Sequence, residues 1–173
     1  MGSALITGSR NPVDMSVGRF VAELAGLLGA LFVDPRRIAA VAEFGDGRYV
    51  QFWAEDGTSL VSEVSAILRP KGPLLFSADD ELRMGDLGWS HPRAGNGPNW
   101  RHEVHDVAGL IACVNMVTVV ILEILGEEHG NTVNLRSWVV HRDGLVTTDT
   151  TLEPMRIAYQ ASLDEIRRLL DSD

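Results

Sequence analysis

The sequence predicts an α+β fold, with helices laid on an antiparallel sheet of about five strands in the order α-βββ-α-α-ββ-α. Runs rich in Val, Ile, Phe, Tyr and Trp at Ile38–Phe44, Arg48–Ala54 and Ser59–Leu68 are separated by Gly45-Asp46-Gly47 and Glu55-Asp56-Gly57-Thr58. Short Asp-Gly turns of this kind favour hairpins, because their residues accept the backbone angles that match strand twist. Two further strand-like runs, Thr132–His141 and Leu145–Thr150, bracket Arg142-Asp143-Gly144 in the same way. Before, between and after these strands, apolar residues recur at helical spacing instead.

Taken in order, residues 1–11 read as a flexible start and 12–173 as a single domain. Pro12 suits the first turn of a helix, with Asn11 as its candidate cap. Val13, Val17, Phe20, Val21, Leu24, Leu27, Leu28 and Leu31 continue that helix as an apolar stripe until Asp34-Pro35 breaks it. Gly18, Ala22, Gly26 and Ala30 mark another face, narrow enough for a helix or a partner chain to approach closely, and suited equally to packing on the sheet of its own chain.

After the strand meander, Ser77 can cap a short helix over Ala78–Leu87, with Asp79 and Asp80 favourable in its first turn and Glu81 outside the capping-box offset. Gly88 is placed to stop it. The stretch G-W-S-H-P-R-A-G-N-G-P-N-W-R, Gly88–Arg101, reads as a crossover clamped at its two ends by Trp89 and Trp100. A long apolar helix runs from Asp106 to Leu125, closed by Gly126 and Gly130. Glu153-Pro154 opens a last amphipathic helix with Met155, Tyr159, Leu163, Ile166 and Leu170 on its buried stripe.

A chain of 173 residues has room for a proper core. Its net charge of 15 minus 24, or −9, argues against nucleic-acid binding, which needs a basic surface to neutralise phosphates. Cys113, the single cysteine, excludes an internal disulfide and a thiolate-only zinc site and fits a reducing cytoplasm. No basic segment followed by an apolar run opens the chain, so no secretory signal is read there. Val107–Leu125 is barely long enough to span a bilayer, contains Asn115 and Glu123, and lacks a basic anchor after it. A core or interface helix is the better reading than membrane insertion.

Catalytic signals are weak. His102-Glu103-Val104-His105 looks like a metalloprotease signature, but that signature needs histidines one full helical turn apart with the glutamate between them. His91, His129 or His141 could add a third ligand, yet nothing fixes one, and surface or capping histidines are the preferred reading. Leu5-Ile6-Thr7-Gly8-Ser9 has no glycine-rich phosphate loop or βαβ unit behind it. Cys113 lies mid-helix among apolar residues, where a thiol acts as a small hydrophobe. Glu43, Glu55, Asp56 and Glu63 take solvated positions by default. No cofactor and no metal site are expected.

Two sets of residues point to a family. The first is Tyr49-Val50-Gln51-Phe52, then Asp56-Gly57, then Glu63-Val64. The second is Leu82 to Leu87-Gly88-Trp89 with Pro92, then Pro98-Asn99-Trp100-Arg101 before a long apolar helix. In order and spacing, from Ala39 to Gly126, they resemble the actinobacterial members of the YbjN-like, type III secretion chaperone-like group. Arg101 and His102 depart from that group, which often carries a second aromatic after its Asn-Trp pair. The resemblance implies a cytoplasmic, non-enzymatic protein that binds peptide segments of a client, often as a homodimer. A client segment would lie on a sheet edge or in an apolar groove, with Phe44, Phe52, Trp53, Trp89 and Trp100 as candidate contacts. The dimer would form through the long helix or the small-residue face of the first. The alternatives are a regulatory or structural protein with one dedicated partner, and a metal-dependent hydrolase built around His102 and His105.

Overall fold

The computed structural model describes residues 13–34, 37–55, 58–66, 75–92, 98–140 and 146–148. Along them run β1 (Val13–Ser16), α1 (Val17–Val33), β2 (Ile38–Phe44), β3 (Tyr49–Glu55), β4 (Ser59–Ser65), α2 (Ala78–Asp86), β5 (Asn99–Val104), α3 (Val107–Val119), β6 (Thr132–Val140) and β7 (Val146–Thr148). The flexible start expected for residues 1–11, the turn at Arg142-Asp143-Gly144 and the helix expected from Glu153 lie outside the described residues.

All pairings are antiparallel, and the seven-stranded sheet has the order β1-β6-β2-β3-β4-β5, with β7 also on β6. Because β2 occupies one side of β6, β1 and β7 share the other. The α+β architecture is the one the sequence predicts, with β1 and β5 as strands it does not.

Both extra strands have a physical reason. Val13 fits the helical stripe of α1 by spacing, but Val13 and Met15 also alternate, and β6 pairs with them across Leu135 and Val133. The helix therefore begins only at Val17, where the Ser16 hydroxyl caps it by accepting from the Arg19 N–H at 3.2 Å. In β5, Trp100, His102 and Val104 share one face of a strand paired to β4. The polar His102 interrupts the apolar alternation that would have revealed it.

The local signals of α2 hold. Ser77 caps it, and Asp80, in the position a glutamate usually takes, returns a bond to the Ser77 N–H, closing a capping box. At the other end Gly88 takes φ +97°, the left-handed conformation that glycine adopts without strain. Its N–H donates to Gly85 O and the Trp89 N–H to Met84 O, the paired bonds of a Schellman motif.

The helices cover one face of the sheet. That face buries Ile38, Ala40, Ala42 and Phe44 from β2, Val50, Phe52 and Ala54 from β3, and Leu60 and Val64 from β4. Phe20, Leu24, Leu27, Leu28 and Leu31 of α1 and Leu110, Cys113, Met116 and Val117 of α3 complete the core. Three alanines in the sheet let the helices sit close to it. Gly18 abuts His129, 3.3 Å from where a Cβ would stand, while Gly26 and Ala30 are buried, so three of the four small residues of α1 are engaged within the chain.

Past Val119 the helix continues as a π-helical turn, Val120–Ile124, and stops at Gly126. Arg48 at the start of β3 closes this end. Its guanidinium donates to Leu125 O and reaches the buried carboxylate of Glu127 at 2.6 Å. The same arginine meets Asp46 at 2.6 Å. Burial works to raise Asp46, and the hydrogen bonds and charge of Arg48 outweigh it, holding the carboxyl below its ordinary value.

Candidate functional site

Alternation sends the other side chains of each strand to the opposite face, which no helix covers among the described residues. The registers arrange that face in rows. One row reads Trp138, Ala39, Trp53, Val61 and Glu103 across β6, β2, β3, β4 and β5. The next reads Arg136, Val41, Gln51, Glu63 and Arg101. Trp138, Ala39, Trp53 and Val41 are half-buried, giving an apolar strip that runs across the strands.

Beside that strip sits a polar network that the sequence does not reveal. Glu63, expected on a solvated face, is only 5% exposed. Its Oε2 accepts from Gln51 Nε2 at 2.8 Å and Asn99 Nδ2 at 2.9 Å, while Arg101 stands 3.8 Å from Oε1. The Tyr49 hydroxyl donates to Asn99 Oδ1 at 3.1 Å. A buried carboxylate is tolerated only when donors replace its water, and these three side chains supply them. Arg101 also binds Glu103 at 2.8 Å and holds its Cζ 5.6 Å from the centre of the Trp53 ring.

The five aromatic side chains singled out in the sequence divide between the two faces. Phe44 and Phe52 point under the helices and are buried. Trp89 and Trp100, 4% and 2% exposed, sit in the core. Trp100 meets Phe76 edge-on at 6.1 Å and His91 at 4.7 Å, and Trp89 lies 5.9 Å from His102. Both tryptophans thus pin the crossover between α2 and β5 onto the domain. Trp53 alone of the five stands on the helix-free face. Its counterpart across Ala39, Trp138, is not among the residues the sequence singles out, because only the long-range pairing of β2 with β6 brings it there.

The sheet edge formed by β5 is partly occupied. Ser90 donates to Arg101 O at 2.8 Å and accepts from its N–H at 3.1 Å, pairing the middle of that edge. The histidine reading fares differently. His102 points to the helix side, with Nδ1 3.4 Å from Gly88 O, whereas His105 lies beyond the strand beside Glu103. Among the described residues no group of three His, Cys, Asp or Glu is placed to hold a metal. Burial pushes the Cys113 thiol up to about 12, against a small opposing effect of the Ser62 hydroxyl, so it stays protonated and unreactive.

The outer side of α3 is the second exposed apolar feature. Val107 and Ile111 are 62% and 61% exposed, and Ala108, Ala112 and Asn115 are exposed beside them. No charged residue occurs from Val107 to Leu122. By length and composition Val107–Ile124 could cross a membrane, and 33% of it is buried.

A sheet with helices on one face and an aromatic strip on the other is an arrangement that can serve as a binding scaffold. The family described as T3SS (YopN, CesT) and YbjN peptide-binding chaperone 3 matches residues 18–139, well over half of the chain. The chain belongs to this family. Comparison with curated proteins and with solved structures gives no match. The match spans α1 through most of β6, so both sheet faces and α3 lie inside the TY-Chap3 region. A chaperone-like binding role follows from it, and that role needs no catalytic residues.

Proposed function

We propose that the protein is a non-enzymatic, cytoplasmic holdase that keeps a segment of a client protein extended on the helix-free face of its sheet. The observation that carries this reading is the TY-Chap3 match over residues 18–139. The geometry favours the face over the β5 edge as the place of binding. The β5 edge is already bridged by Ser90, whereas the half-buried Trp138, Ala39 and Trp53 offer apolar area flanked by hydrogen-bonding groups. An extended segment gains most where apolar contact and polar anchors alternate. Trp53 is the contact retained from the sequence reading. Phe44, Phe52, Trp89 and Trp100 shape the scaffold beneath it.

The protein works as a homodimer through the outer face of α3. An uncharged helix face with Val107 and Ile111 exposed suits burial against a second copy, and the competing small-residue face of α1 is engaged within the chain. Asn115, in the middle of this face, would pair with its copy and set the register.

Affinity capture from the native host followed by mass spectrometry tests the client. Recovery of one or more proteins whose capture falls with Trp53→Ala is the expected result. Recovery that is insensitive to every change on the helix-free face would sink the placement. Light scattering tests the dimer, which Ile111→Lys should convert to monomer. If both forms scatter as monomers, the α3 interface is wrong.

A further inference from the structure

The outer face of α3 forms a seam with a direction. Ala108, Ile111 and Asn115 are exposed along it, and Val119 and Leu122 continue it half-buried, at the alternating spacing by which paired helices interlock. No charge falls between Val107 and Leu122, and Asn115 lies midway between Ala108 and Leu122. The two ends of the seam differ. At one, the exposed Asp106 caps α3 by accepting from the Gly109 N–H at 2.7 Å. At the other, Arg83 of α2 meets Glu123 at 2.5 Å, both about half exposed. Parallel pairing with a second copy would set Ala108 on Ala108 beside Ile111 on Ile111, a gap next to a crowded pair, and Asp106 on Asp106. Antiparallel pairing sets Ala108 against Leu122, Ile111 against Val119 and Asp106 against Arg83. Volumes then even out along the seam, and opposite charges and opposite helix ends meet.

We infer that two copies pair their α3 helices antiparallel about a two-fold axis through Asn115. On the axis the two amides meet and each can donate to the other, a bond that no apolar residue of the seam could make. Leu110, Cys113, Met116 and Val117 hold α3 on the side of the sheet opposite Trp53 and Trp138. The pairing therefore leaves the helix-free face of each copy outward and open. This inference rests on the α3 homodimer proposed above and adds the orientation of the partner.

The test uses the full chain carrying Ala108→Cys, Leu122→Cys, both changes together, or Asn115→Cys, each treated with a short bismaleimide. Cys113, buried and with its thiol pushed up to about 12, stays out of the reaction. Urea midpoints confirm that the variants are folded, and light scattering gives their state before treatment. The double variant and Asn115→Cys should cross-link into dimers on a denaturing gel. Ala108→Cys and Leu122→Cys alone should not, because in an antiparallel pair each lies about 21 Å along the axis from its own copy. Cross-linking of Ala108→Cys alone makes the helices parallel, which overturns the inference and leaves the α3 dimer standing. Silence of Asn115→Cys beside a cross-linked double variant overturns the axis. A chain that scatters as a dimer while no variant cross-links has its interface elsewhere, and monomeric scattering removes the dimer itself; either result overturns the inference together with the α3 reading.

Discussion

On the helix side of the sheet, the row Val139, Ile38, Ala54, Leu60 and Val104 is apolar from end to end and buried. On the other side, the row Arg136, Val41, Gln51, Glu63 and Arg101 crosses the same strands with charges at its rim and a hydrogen-bonded carboxylate near its middle. The first face gains stability from area removed from water. The second gains order from satisfied polar groups, with Ala39, Val41, Trp53 and Trp138 half-buried and Val61 buried. On the proposed mode of binding, stability and binding fall to alternate residues of one strand, with Phe52 of β3 in the core and Trp53 on the opposite face.

The contrast breaks most sharply at Phe52. Replacing this fully buried ring by alanine should cost about 3–5 kcal/mol in urea unfolding, and a loss below ~1 kcal/mol would mean that the helix side is not the stabilising one. Glu63→Ala strips the acceptor from Gln51 and Asn99 and should cost about 1–3 kcal/mol. Glu63→Gln keeps an acceptor and should cost less; if the two changes prove equal, the network contributes little. Trp89→Phe should fall below ~1.5 kcal/mol, since the Trp89 Nε1 is buried without a hydrogen-bond partner and its removal strands no acceptor. Smallest of all is the response of Cys113. With its thiol pushed up to about 12, it should stay unmodified by a thiol reagent at pH 8 in the native protein and react only in urea.

The strands β2, β3 and β4 and the stripe of α1 were legible in the sequence, because their turns and spacing involve only neighbouring residues. Parity alone does not say which face of a strand is covered, and Glu63 shows the cost of that ambiguity. Its partner Asn99 is 36 positions away, so nothing local marks it as buried. β5 was hidden by His102 on its inner side, and β1 by a spacing that suits helix and strand alike. The candidate site was half visible. Trp53 lies in a strand whose register with β2 follows from a short turn, whereas Trp138 joins it only through β6. The other four aromatics, which sequence reading offers as contacts while favouring core packing for each, are buried.

The insertion of β6 between β1 and β2 has a consequence for synthesis. A ribosome releases β1 through α3 before any of Thr132–Val140 has emerged. Until then β1 has no partner and β2, the apolar strand Ile38–Phe44, presents a bare edge on the very side that β6 will take. At the usual pace of translation that edge stays open for seconds. A nascent chain of this protein therefore passes through an interval in which it exposes an aggregation-prone strand edge, and a ribosome stalled before Thr132 would release a fragment that lacks the strand joining the two sides of its sheet.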